Sequence, residues 1–102
     1  MRVYIAGPMT GLPQFNYPAF YERASLLRER GHEPVNPAET DGGVVPADYT
    51  EDKPYEYWLR KALLLLLQCD AITLLPGWER SKGASLEKHV ADTLKMEVVI
   101  VD

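Results

Sequence analysis

The chain has 102 residues, 46 % apolar and 25 % charged, so residues 1–102 are expected to fold as one domain around one core. Eleven basic against fifteen acidic residues leave a net charge of -4, which counts against a protein that coats nucleic acid or an anionic membrane. One cysteine, Cys69, excludes an internal disulfide and a four-cysteine zinc site; with no basic-then-apolar leader and no bilayer-length apolar run, a cytoplasmic location is expected.

Arg2 to Ala6 is a short β-prone run stopped by Gly7-Pro8, and it reads as a buried first strand. Met9 to Tyr17 carries Gly11, Pro13 and Asn16 and reads as a loop. A helix is predicted from about Pro18 to Arg30, with Phe20, Ala24 and Leu27 on one face and Gly31 as its end. Glu33 to Asn36 is a weak strand that Pro34 assigns to a sheet edge. Residues 37–53 have no period and read as a long loop.

A second helix is predicted from about Pro54 to Gln68. Its five consecutive leucines, Leu63 to Leu67, cover the whole circumference, so burial on more than one side is expected. Either a subunit interface or the long loop supplies the cover. Ala71 to Leu75 reads as a buried strand ended by Pro76-Gly77, Ser81 to Lys95 as a third helix, and Glu97 to Val101 as a last strand. The alternation of strand and helix predicts an α/β fold. It is a small flavodoxin-like (Rossmann-like) three-layer sandwich around a mainly parallel four-stranded sheet.

Such sheets bind ligands beyond the carboxyl ends of their strands, where the strand order switches. The first and third strands end in Gly7-Pro8-Met9-Thr10-Gly11 and in the stretch from Pro76 to Gly83. Glycines there let backbone approach a ligand, and each loop leads into a helix N-terminus. Neither loop is a Walker A or a Rossmann fingerprint. Glu87 precedes Val90, Ala91 and Leu94 by three, four and seven residues, which sets it on the apolar, sheet-facing side of the third helix. An oriented carboxylate there suits a nucleophile or a stabiliser of a cationic sugar; the plainer alternative is a helix-start Glu that merely meets the dipole.

The residues Tyr4-Ile5-Ala6-Gly7-Pro8-Met9-Thr10-Gly11 resemble the first strand and loop of the nucleoside 2-deoxyribosyltransferase superfamily. Ser81-Lys82-Gly83-Ala84-Ser85-Leu86-Glu87 resembles the segment that carries its nucleophilic glutamate. Within that group the chain is most similar to a family of short phage and bacterial proteins of unknown function, over nearly its whole length. It is also similar to the 2-deoxynucleoside 5-monophosphate N-hydrolases. The resemblance implies cleavage or transfer at a 2-deoxyribosyl N-glycosidic bond in a nucleoside or nucleotide, with no cofactor. Glu87 attacks the anomeric carbon, and Tyr4 holds Glu87 or the sugar. Gly7, Pro8, Met9, Thr10 and Gly11 line the pocket. Ser81 and the Gly83 backbone meet a 5'-hydroxyl or phosphate. Trp78 stacks on the base or serves as a hydrophobic plug, and Asn16, in the first ligand loop, is a further candidate for sugar contact.

Two departures bear on this reading. Members of the similar family place an aspartate, thought to protonate the leaving base, eight residues before the position of Asp70, where this chain has Ala62. Either activity is weakened, or Glu56 or Glu79 serves instead, or the alanine is an engineered trap. Relatives with longer C-termini use that region to complete a neighbour's site, whereas this chain stops at Asp102. A catalytically impaired nucleotide-binding module and a non-enzymatic interaction protein are the alternatives. A homo-oligomer through the helix at 54–68 is expected. His32 and His89 lack ligand spacing, so no metal is expected. Cys69 reads as a small buried hydrophobe, Asp70 as structural, and Tyr49, Tyr55, Tyr57 and Trp58 as a lid or interface patch.

Overall fold

The computed structural model describes residues 1–9, 11–39 and 54–101. Four strands, β1 (Arg2–Ala6), β2 (Glu33–Val35), β3 (Ala71–Leu74) and β4 (Glu97–Val98), form an all-parallel sheet in the order β2-β1-β3-β4. Among the described residues three α-helices connect them: α1 (Tyr17–Glu29), α2 (Tyr55–Leu66) and α3 (Lys82–Thr93). This is the α/β three-layer architecture expected from the alternation, with β2 and its Pro34 at an edge.

Topology follows from handedness. The chain steps from β1 to β2, then crosses back past β1 to β3 and on to β4. Right-handed crossovers in opposite directions place their helices on opposite faces. Helix α1 accordingly covers Val3, Ile5 and Ala71, while α2 and α3 cover Tyr4, Ala6 and Ile72. Alternate residues of β1 thus enter two different cores, and four of its five residues are buried.

Helix α1 buries Tyr17, Phe20, Ala24 and Leu27, a stripe at helical spacing. Gly31, at φ +82°, then ends it. The His32 amide donates to Leu27 O and the Gly31 amide to Arg28 O, a Schellman arrangement that satisfies the last carbonyls.

One expectation is corrected. Strand β4 has two residues rather than five. The Val99 amide still donates to Ile72 O at 2.8 Å, but this edge segment has a neighbour on one side only and its paired register ends at Ile72–Val98. Among the described residues of one chain, the leucine run is covered on one side: Leu66 packs fully against the sheet, whereas Leu64 and Leu67 are each 57 % exposed. A helix lying flat on a sheet offers it one face, whatever its composition. Of the long loop, Pro37–Glu39 form a 3-10 turn with Ala38 buried. Residues 40–53, Tyr49 among them, lie outside the described residues. No described helix is long and apolar enough to cross a membrane.

Candidate active site

Strands β1 and β3 are adjacent, and the connections that follow and precede them run in opposite directions, so the switch in strand order lies between them. Their carboxyl ends are pressed together: the Leu75 amide donates to Ala6 O at 2.8 Å. A Cβ on Gly7 would lie 2.7 Å from Leu75 Cβ, so only glycine fits there.

A cavity of about 160 Å³ opens beside this junction. Glu87 lines it from α3, with only 5 % of its surface exposed. The helical spacing that set Glu87 on the sheet-facing side therefore holds, and Ala91 is buried one turn further on. Leu94, assigned to the same face, falls at the helix end and is exposed. Tyr4 points from β1 to the same side of the sheet, and its hydroxyl donates a hydrogen bond to Glu87 Oε2.

Burial pushes the Glu87 carboxyl up to about 7, against the opposing pull of the Tyr4 hydrogen bond. Burial and the neighbouring Glu87 charge hold the Tyr4 phenol well above its ordinary range, so Tyr4 remains a donor. The result is a carboxylate that is partly ionised near neutrality, oriented by one fixed donor and facing an open cavity. Such a group can attack an electrophilic carbon or accept a proton.

Of the residues singled out from the sequence, Tyr4, Gly7, Met9, Ser81, Gly83 and Glu87 all line this cavity. Ser81 also caps α3, its Oγ accepting from the Ala84 amide at 3.2 Å. Pro8, Gly11, Asn16 and Trp78 lie outside the cavity wall. Asn16 Nδ2 donates to Pro8 O at 3.0 Å and so braces the first loop. It ends a turn in which Gln14, Phe15 and Asn16 all take left-handed φ values, between 52° and 61°. Each such residue costs about 1–2 kcal/mol. Trp78 packs against the Tyr4–Ile72 core, and Lys88 Nζ stands 6.0 Å from its ring centroid. Thr10 lies outside the described residues.

The cavity also has a wall on α2, where the sequence singled out only Ala62, as the place of the similar family's aspartate, and Trp58, as part of a lid or interface patch. Trp58, Lys61, Ala62 and Leu65 line it from α2. Their spacing of three, four and seven residues is one helical stripe, a signal that was available in the sequence. Glu56 instead lines a groove with Leu64 and Leu67 on the opposite side of α2, and Glu79 is exposed in the 3-10 turn Trp78–Arg80. Neither reaches Glu87's cavity. Burial pushes the Cys69 thiol up to about 11, and its Sγ donates to Leu65 O, an arrangement unsuited to a nucleophile. Asp70 Oδ2 accepts from the Arg2 amide at the opposite end of the sheet. Among the described residues no cluster of His, Cys, Asp and Glu is arranged to hold a metal.

The model of a family described as "Domain of unknown function (DUF4406)" matches residues 1–100. No curated protein matches the chain. Among solved structures the chain is similar to the 2-deoxyribosyltransferase of the psychrotolerant bacterium Bacillus psychrosaccharolyticus. That match has 17 % identity and a TM-score of 0.68, over 100 % of this chain and 77 % of that one. It is also similar to a 2-desoxiribosyltransferase from Leishmania mexicana, at 19 % identity and a TM-score of 0.66, over 96 % of this chain and 61 % of that one. The chain therefore has the fold of the 2-deoxyribosyltransferases and spans 61 % of the length of the second.

Proposed function

The chain belongs to the DUF4406 family, and we propose that it cleaves or transfers at the N-glycosidic bond of a 2-deoxynucleoside or its 5'-monophosphate. The observation that carries this reading is the Glu87 carboxyl, buried in a cavity at the switch in strand order, held by Tyr4 and poised at about 7. In this reading Glu87 attacks the anomeric carbon and the sugar becomes esterified to it. Water then completes a hydrolysis, or a second base completes a transfer. Ser81 and the Gly83 backbone, at the N-terminus of α3, receive the 5'-hydroxyl or phosphate. Met9 and Gly7 close the pocket from the β1 side. The shared fold with two enzymes named as 2-deoxyribosyltransferases supports the reaction class.

A second reading, a nucleotide-binding module with impaired catalysis, is favoured by one observation. Ala62 lines the cavity, and Glu87 is the sole carboxylate among its described lining residues. Assembly through α2 belongs to the proposal as well, because Leu64 and Leu67 leave an apolar strip on its outer side.

A product screen of deoxynucleosides and their 5'-monophosphates separates the two readings. Free base released by the chain and abolished in Glu87→Gln supports the glycosidase. Thermal stabilisation by the same compounds without base release, equal in both proteins, supports the binding module.

A further inference from the structure

Among the described residues that line the Glu87 cavity, one has a basic side chain: Lys61. It sits beside Ala62 on α2, on the same stripe as Trp58 and Leu65. Helices α2 and α3 share one face of the sheet, so Lys61 and Glu87 reach the cavity from neighbouring helices. Helix α2 leads into the start of β3, which puts its N-terminal end at the carboxyl edge of the sheet, where parallel sheets bind ligands. Lys61 Nζ lies 4.9 Å from the Tyr57 ring centroid and 5.7 Å from that of Trp58. Both rings stand about one turn earlier in α2, toward that end, and Trp58 itself lines the cavity. Glu56 and Glu79 stand outside this cavity, and Tyr4 is committed to Glu87.

We infer that Lys61 is a second catalytic residue, whose ammonium protonates the departing base. The inference rests on the glycosidase reading. An oxygen of Glu87 attacks the anomeric carbon and a carbon–oxygen bond forms. The carbon–nitrogen bond breaks, its electron pair stays with the base, and the proton of the Lys61 ammonium passes to that nitrogen, leaving a neutral amine. Water then attacks the same carbon, and the bond to Glu87 breaks with its pair returning to the carboxylate. The surplus proton restores the Lys61 ammonium. One nucleoside and one water give one free base and one 2-deoxyribose.

The test compares two leaving groups. The nucleobase of the best-cleaved deoxynucleoside needs a proton to depart, whereas the nitrophenolate of 4-nitrophenyl 2-deoxyriboside does not. Lys61→Met is expected to lower kcat/KM on the deoxynucleoside by about 10²–10⁴-fold and on the nitrophenyl glycoside by less than about tenfold. Lys61→Met combined with Ala62→Asp is expected to recover base release, because an acid returns to the adjacent position. Equal losses on both substrates overturn the inference. So does a loss confined to 5'-monophosphates and expressed as a raised KM, which assigns Lys61 to the phosphate. Nitrophenolate release that needs Glu87, with no leaving-group selectivity in Lys61→Met, removes the Lys61 role and leaves the glycosidase reading standing. Release of neither product by the wild-type chain overturns both.

Discussion

The hydroxyl of Tyr4 donates to Glu87 Oε2 across 83 positions of sequence, and both side chains are buried. The bond ties the first strand to the third α-helix at the edge of the cavity. It also opposes the effect of burial on the carboxyl, since a donor stabilises the charged form.

An acid limb in the pH profile is the first consequence. A nucleophilic Glu87 must be ionised, so kcat/KM is expected to fall as pH drops through about 7. Tyr4→Phe removes the donor that lowers the Glu87 value, and the limb should move to higher pH. Initial rates between pH 5 and 9 check this; a limb that stays in place or moves down in Tyr4→Phe contradicts the assignment.

Stability carries the same information with its own sign. The folded value of Glu87, about 7, lies above the ordinary 4.5, so the folded state holds the proton more tightly. The stabilising effect is complete below about 4.5 and is lost as pH rises to about 7, a change on the order of 3 kcal/mol. Glu87→Gln removes this dependence. The variant is expected to melt above the wild type at pH 8, with the gap closing near pH 4.5, as read by thermal unfolding at the two pH values.

Gly7→Ala should destabilise the fold by about 1–3 kcal/mol, because the added carbon meets Leu75 Cβ where β1 and β3 end. Chemical denaturation measures the loss. An unchanged midpoint means that the two strand ends separate easily.

Ser81→Ala removes the cap on α3 and should cost about 0.5–2 kcal/mol. Under the proposed function it also raises KM, since the same residue lines the substrate cavity. A change in stability with KM untouched restricts Ser81 to capping.

The alternation of elements was legible in the sequence because each strand is a short apolar run and each helix but one has a single apolar face. Glu87 was legible for the same reason: its spacing from Val90 and Ala91 set it on the inner side of α3. The inner side of α2 was harder to read. Five leucines in a row carry no facing information, and tertiary contact with the sheet decides that Leu66 turns in while Leu64 and Leu67 turn out. Lys61 was missed as a cavity residue on that account, and Trp58 was read only as part of a lid or interface patch. The shortness of β4 was equally hidden, since a run of valine and isoleucine reads the same whether or not an edge strand finds a partner along its whole length.

The most direct measurement is mass spectrometry of the chain after incubation with a 2-deoxy-2-fluoro-arabinosyl nucleoside, whose fluorine slows hydrolysis of a sugar–enzyme ester. The account predicts one added sugar on the peptide that contains Glu87 and none in Glu87→Gln. A sugar attached elsewhere, or base release that survives in Glu87→Gln without any adduct, contradicts it.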